Sequence, residues 1–245
     1  MAARRTKIVA TLGPATSSEE NIVALVRAGV DVTRFNFSHG DQNMHLRNAK
    51  IVRDTAHELG RNVAILQDIQ GPKIRTGEVE GGTELVAGNR VTIATGDFLG
   101  DASRLSTSYD ALAEDVRPGH RLLIDDGLIG LRVESIEGRD VVCEVLEGGP
   151  VSSHKGLNFP DSNLSIKGLT PKDVEDLRFG IEQIQPDWVA VSFVRTGDEV
   201  REVKRRIEEF GGNAPVISKI EKHEAIENIE DVSYTQLTLP TIRLV

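Results

Sequence analysis

Short apolar, β-branched runs recur at Lys7–Gly13, Val32–Ser38, Val63–Ile69, Trp188–Phe193 and Ala214–Ile220. Runs of this length without strict alternation predict strands buried on both faces of a parallel sheet. Helical stretches separate most of them, and each carries its own punctuation. Ser17-Ser18-Glu19-Glu20 has the form of a capping box, Ile22, Leu25 and Val26 make an apolar stripe, and Gly29 can close that helix. Asn43–Leu59 runs to Gly60, Thr170-Pro171 offers an N-cap and first-turn proline before Val174–Ile184, and Asp198–Phe210 runs to Gly211. Repeated strand–helix units predict an α/β fold.

From about Thr76 to Lys167 the pattern changes to short alternating segments, RVTIAT, RLLID, LIGLRVESI and DVVCEVL, set between glycine-rich turns. Gly81-Gly82, Gly88-Asn89, Pro118-Gly119, Asp126-Gly127 and Gly148-Gly149 mark those turns, and Asp125-Asp126 reads as turn-forming rather than metal-binding. The segment predicts an inserted, mainly antiparallel β domain. The expected organisation is a discontinuous partial (β/α) barrel over 1–72 and 168–231, an insert over 73–167, and a tail of different character over 232–245.

Polar residues break the apolar strands at particular places. In VTRFNFSHG, Arg34, Asn36 and Ser38 occupy alternate positions, and so one strand face. Asp68 ends VAILQD, Lys219 and Glu221 share one face of VISKIE, and Arg75 lies just beyond the third strand. Polar residues gathered at the carboxyl ends of strands favour a barrel over an open sheet. Two cations, two carboxylates and small polar groups suit a phosphate together with a divalent metal.

Composition narrows the partners. The chain has 245 residues, 39% of them hydrophobic, and a net charge of −9, which argues against a general nucleic-acid binder. No apolar run approaches the roughly 18 residues that span a bilayer, so the reading is cytoplasmic with no membrane partner. Cys143, in VVCEV, reads as a buried strand thiol, and a single cysteine forms no internal disulfide. Lys204-Arg205-Arg206 alternates with Glu202, Glu208 and Glu209, as on a solvated helix face. His39 either touches a ligand, caps the following helix or hydrogen-bonds locally.

TKIVATLGPAT, VTRFNFSHG, QDIQGPKIRTG, HKGLNFP and VISKIEKHEAIENI, in this order and around an inserted β domain, resemble pyruvate kinase. The resemblance covers roughly Arg5 to Asp231. It implies a (β/α)8 TIM-type barrel, of which about five strands are present, with an inserted small β-barrel domain after the third strand acting as a lid. It also implies a glycolytic reaction, transfer of the phosphoryl group of phosphoenolpyruvate to ADP with formation of pyruvate and ATP. Arg34 resembles the family's substrate-phosphate arginine, and Lys219 the lysine that stabilises transition-state charge. Glu221 resembles a carboxylate for Mg²⁺ or Mn²⁺, while Asn36, Ser38, Asp68 and the Ile69 carbonyl fall where the family binds a monovalent cation. Asn36, Phe37, Ser38, His39, Arg75 and Lys155 fall on its nucleotide contacts. Lys73 stands where members that require K⁺ usually carry glutamate, and its tethered ammonium would replace that ion.

After Asp231 the sequence VSYTQLTLPTIRLV departs from the family pattern, in which a further strand supplies a second metal carboxylate. The expectation is an amino-terminal fragment, inactive as it stands, with two unpaired sheet edges that promote self-association. The family's tetramers cannot be carried over to it. The alternatives are a non-catalytic nucleotide- or partner-binding chain, and another phosphoenolpyruvate- or pyruvate-binding barrel enzyme such as a metal-dependent aldolase, which lacks the insert.

Overall fold

The computed structural model describes residues 6–234 and divides into two compact units, one drawn from the chain up to Pro72 and from Gly168 onward, the other from Lys73–Lys167. The first begins with β1 (Val9–Leu12), α1 (Glu19–Ala28), β2 (Val32–Asn36), α2 (Gln42–Glu58) and β3 (Ala64–Ile69). Helix α1 starts one residue later than a Ser17/Glu20 box requires. Ser18 accepts the Asn21 N–H, and the Asn21 amide goes to the Ala15 carbonyl at 2.9 Å, so no carboxylate returns the second bond of a box. Gly29 closes the helix in the left-handed conformation, with φ of 106°. Asp41 caps α2 by accepting the Met44 N–H, which removes the capping alternative for His39.

The second unit contains β4 (Glu84–Leu85), β5 (Arg90–Thr95), β6 (Arg104–Thr107), α3 (Leu112–Asp115), β7 (Arg121–Ile124), β8 (Ile129–Glu137), β9 (Asp140–Glu147), β10 (Gly149–Pro150) and β11 (Leu157–Asn158). Six strands form a sheet in the order β11-β7-β8-β9-β5-β6, antiparallel except for the β5/β6 pair. Arg75 bridges to Gly156 beside β11, and Thr76 bridges to Thr107 of β6, so adjacent residues touch both ends of the sheet order. The alternating inward residues, including Leu122, Ile124, Leu131, Val141 and Cys143, are fully buried in one apolar core. Asp125 and Asp126 both adopt positive φ, 53° and 55°, and turn the chain between β7 and β8. Gly148-Gly149 is a different case from the turn expected there. Gly149 pairs with Leu85 in a two-stranded ladder, and a Cβ on Gly148 would lie 2.3 Å from the Leu85 carbonyl oxygen, so close strand approach demands the glycine.

The chain returns with α4 (Pro171–Phe179), a π-helical turn (Gly180–Ile184), β12 (Trp188–Val191), α5 (Gly197–Glu209), β13 (Val216–Ser218), α6 (His223–Glu227) and α7 (Ile229–Tyr234). Thr170 and Asp173 form a reciprocal capping box with Pro171 at the first turn. The single helix expected through Ile184 instead widens into the π turn. Gln67, fully buried on β3, drives its Nε2 to the Asp176 carbonyl at 2.7 Å, and only the missing side chain of Gly180 leaves room for it. The five strands of this unit form one parallel sheet, β1-β2-β3-β12-β13. Its helix-facing side buries Leu12, Phe35, Ile65, Val189 and Val216. Among the described residues β1 and β13 each have a strand neighbour on one side only. Of the tail, 232–234 continue α7 with Val232 buried, and 235–245 lie outside the described residues.

Candidate active site

On β2, Thr33 and Phe35 point into the helix-facing core, so strand alternation turns Arg34 and Asn36 to the opposite face. The parallel register sets Asn36 beside Asp68, and Asp68 beside Ala190. Arg34 donates from Nε and Nη2 to Asp68 Oδ2 at 2.7 and 2.6 Å, and from Nη1 to Thr11 Oγ1 at 2.9 Å. Just past β13, the Lys219 ammonium lies 3.1 Å from Asp68 Oδ1 and 3.6 Å from Glu221 Oε1. Glu221 Oε2 accepts the Phe193 N–H at 3.1 Å. The result is a row of alternating charge, Arg34, Asp68, Lys219, Glu221, drawn from three strands.

Burial is uneven along that row. The Asp68 side chain is 3% exposed, whereas those of Arg34 and Lys219 are 30% and 27% exposed. A buried carboxylate flanked by two cations has its desolvation cost offset by both, and each cation keeps N–H donors turned to solvent. An anion such as a phosphate can take those donors without displacing Asp68.

Two further groups shape the row, and the sequence reading passed over both. Ser192 donates its hydroxyl to the Ile69 carbonyl at 2.9 Å and lies 3.5 Å from Asp68 Oδ1. Phe193 holds a left-handed backbone, φ 57°, costly for a non-glycine residue, and this conformation aims its N–H at Glu221. Lys222 sits over the Phe193 ring at 5.5 Å, and burial pushes its ammonium below the usual lysine range. Their sequence signal is faint: Ser192 is a small polar residue just past β12, and nothing local marks Phe193 as left-handed.

The loop after β2 is tied down. Asn36 Oδ1 accepts the Ser38 N–H at 3.1 Å, the Asp68 carbonyl accepts the Phe37 N–H at 2.9 Å, and the Phe37 side chain is buried. His39 is exposed. In the other unit, Arg75 donates to the His154 carbonyl at 2.9 Å, the Lys155 ammonium is 2.9 Å from Asp125 Oδ2, and Lys73 is exposed. Among the described residues, no three or more His, Cys, Asp and Glu side chains are grouped to hold a metal ion. Glu221, which shares no bond with Arg34, is the carboxylate of the row that could hold a divalent ion, since Mg²⁺ is commonly held by one or two carboxylates completed by substrate phosphates and water.

A family model described as the pyruvate kinase barrel domain matches residues 3–237. The chain belongs to the pyruvate kinase family. It is 49% identical over 230 residues to a pyruvate kinase of Corynebacterium efficiens, covering 94% of this chain and 48% of that one. It is 46% identical to the pyruvate kinase of Mycobacterium tuberculosis with the same coverage. Against pyruvate kinase 2 of Synechocystis the identity is 46%, over 94% of this chain and 39% of the relative. The chain thus spans about half the length, or less, of these relatives, and five parallel strands with their helices agree with an incomplete pyruvate kinase barrel. The match also runs past Asp231, beyond the point where the sequence resemblance was expected to stop. None of the described helices is long and apolar enough to cross a membrane.

Proposed function

We propose that this chain carries the substrate-phosphate half of a pyruvate kinase site, serving phosphoryl transfer from phosphoenolpyruvate to ADP in the cytoplasm. The row Arg34–Asp68–Lys219–Glu221 is the observation that supports it. The substrate phosphate takes the open N–H groups of Arg34, whose guanidinium is fixed by Asp68 and Thr11. Lys219, fixed between two carboxylates, faces the charge that grows on the transferred phosphoryl and on the enolate oxygen. Transfer breaks the bond from phosphorus to the enol oxygen and makes one to the ADP β-phosphate, and the released enolpyruvate takes a proton at carbon to give pyruvate. Glu221 would hold Mg²⁺ or Mn²⁺, which supplies charge neutralisation for the phosphates. Asn36, Ser38, Asp68 and the Ile69 carbonyl are the proposed monovalent-cation ligands, with Lys73 replacing K⁺. The segment Asn36–His39, with Arg75 and Lys155 of the other unit, is assigned to the nucleotide. Residues 73–167 are read as the family's small β-barrel lid.

A second reading, binding without turnover, is favoured by one observation: Glu221 is the one carboxylate of the row not bonded to Arg34 or held between two cations. The deciding experiment supplies the purified chain with phosphoenolpyruvate, ADP and Mg²⁺ and follows ATP and pyruvate, with Lys219→Ala as control. Equal amounts of both products, lost in the variant, establish turnover. Binding of phosphoenolpyruvate without product establishes the second reading.

A further inference from the structure

The loop between β2 and α2 presents Asn36, Ser38 and His39, and three successive N–H groups in it are taken up by β3 and by Asn36. The Asp68 carbonyl takes the Phe37 N–H, the Asn36 side chain takes the Ser38 N–H, and the Asn36 carbonyl takes the His39 N–H at 3.2 Å. Two of the loop's carbonyls, those of Phe37 and His39, each meet a side chain from a different helix. Lys172, in the first turn of α4, donates its ammonium to the Phe37 carbonyl at 3.0 Å. His45, on α2, reaches the His39 carbonyl through Nε2 at 3.0 Å. A carbonyl accepts only, so Nε2 carries the proton in this contact.

Both side chains are themselves located. His45 is 3% exposed and stacks on the Phe37 ring at 4.2 Å with the planes 15° apart. Lys172 pairs with Asp176, a buried carboxylate that Gln42 of α2 also approaches at 3.5 Å. Gly40 completes the arrangement: its φ of 78° is a left-handed conformation in which a side chain would be strained.

We infer that Lys172 and His45 are positioning residues which clamp the Phe37 and His39 carbonyls and thereby fix the conformation in which the loop offers Asn36, Ser38 and His39. The inference rests on the reading of this loop as a nucleotide contact. Neither residue touches the row of charges, so the clamp acts only through the loop.

The test compares Lys172→Met, Lys172→Arg and His45→Phe in the same chain. The Lys172 side chain is largely exposed, but Lys172→Met also takes the cation from buried Asp176, so β12 and α5 report any general loss of stability; Lys172→Arg keeps that charge, and His45→Phe keeps an aromatic ring against Phe37. Amide hydrogen exchange at Phe37, Ser38 and His39 is expected to accelerate about tenfold in Lys172→Met and His45→Phe, with β12 and α5 unchanged as internal controls, and to return toward the parent rate in Lys172→Arg. Exchange in the loop that stays at the parent rate, or that rises equally in β12 and α5, overturns the clamp. Calorimetric titration with ADP and Mg²⁺ separates the two readings: faster exchange with about tenfold weaker ADP supports both, whereas faster exchange with unchanged ADP affinity supports the clamp and overturns the nucleotide assignment.

Discussion

In the parallel unit an almost completely buried carboxylate, Asp68, sits between Arg34 and Lys219, while in the antiparallel unit the pairs Arg90–Glu134, Arg132–Glu144 and Arg121–Asp161 lie on the outside of a core built mainly from aliphatic side chains, with Tyr109, Phe159 and Cys143. Surface pairs of the second kind contribute little, because solvent screens them and their long side chains lose freedom. A buried carboxylate of the first kind is expensive without its partners. The same chain therefore uses charge in two ways, as exposed pairs, found on α5 as well as in the antiparallel unit, and as a poised polar site on the parallel sheet. Each unit also carries its own probe: the chain's one tryptophan, Trp188, lies in the parallel unit, and its one cysteine, Cys143, in the antiparallel unit.

The strongest way to break this contrast is Asp68→Ala. It leaves Arg34 and Lys219 facing each other without their shared carboxylate and is expected to cost about 3–5 kcal/mol in urea unfolding followed by Trp188 fluorescence. An equal shift in the labelling midpoint of Cys143 would show that the units unfold together and end the comparison. Leu131→Ala is the mirror experiment. A fully buried leucine in the antiparallel core loses about 3 kcal/mol, read as earlier Cys143 labelling with Trp188 unmoved. Gly71→Ala follows at about 2 kcal/mol, since Gly71 has φ of 69° and a Cβ there would lie 2.6 Å from the Ser192 carbonyl oxygen. It also pushes on the turn that aims the Phe193 N–H at Glu221.

A pH titration sharpens the contrast further. Burial raises the Cys143 thiol from 9.0 to about 12. Because the folded value is the higher one, its contribution is complete below pH 9 and is lost between pH 9 and 12, by about 1.4 kcal/mol for each pH unit. Cys143→Ala should flatten this alkaline limb in a stability–pH profile. The smallest effect is expected for Arg205→Ala on α5, where Glu202 and Glu209 are exposed partners: about 0.5 kcal/mol or less by thermal melting, fading with added salt.

Much of the architecture was legible because it is written in local pattern. The five apolar runs contain the five parallel strands, each trimmed by one to four residues at its ends, and the alternating segments RVTIAT and LIGLRVESI contain β5 and most of β8. Trimming occurs where residues such as Ser38 and Ile220 follow the strand without joining its ladder. Arg34, Asp68, Lys219 and Glu221 stood out because charge interrupts an apolar strand, and the structure brings those four together. What stayed hidden depends on distant partners. Gln67 reaches the Asp176 carbonyl ahead of the π turn from 109 residues away, and Lys172 and His45 meet the β2–α2 loop from helices whose periodicity says nothing about it. Ser17–Glu20 looked like a box because the motif is local, but Asn21 had a nearby carbonyl to satisfy instead.

The π turn at Gly180–Ile184 has both ends anchored. Gln67 holds the Asp176 carbonyl before it, and Arg53 donates to the carbonyls of Ile184 and Gln185 after it, while Asp187 accepts the Ile65 N–H at 2.7 Å. Between such fixed points the connection behaves like a strut cut one residue too long, with the surplus stored as width rather than as displacement. A shorter version of the segment could close as ordinary helix and still reach both anchors, so chain length can vary here by a residue without the strands on either side learning of it.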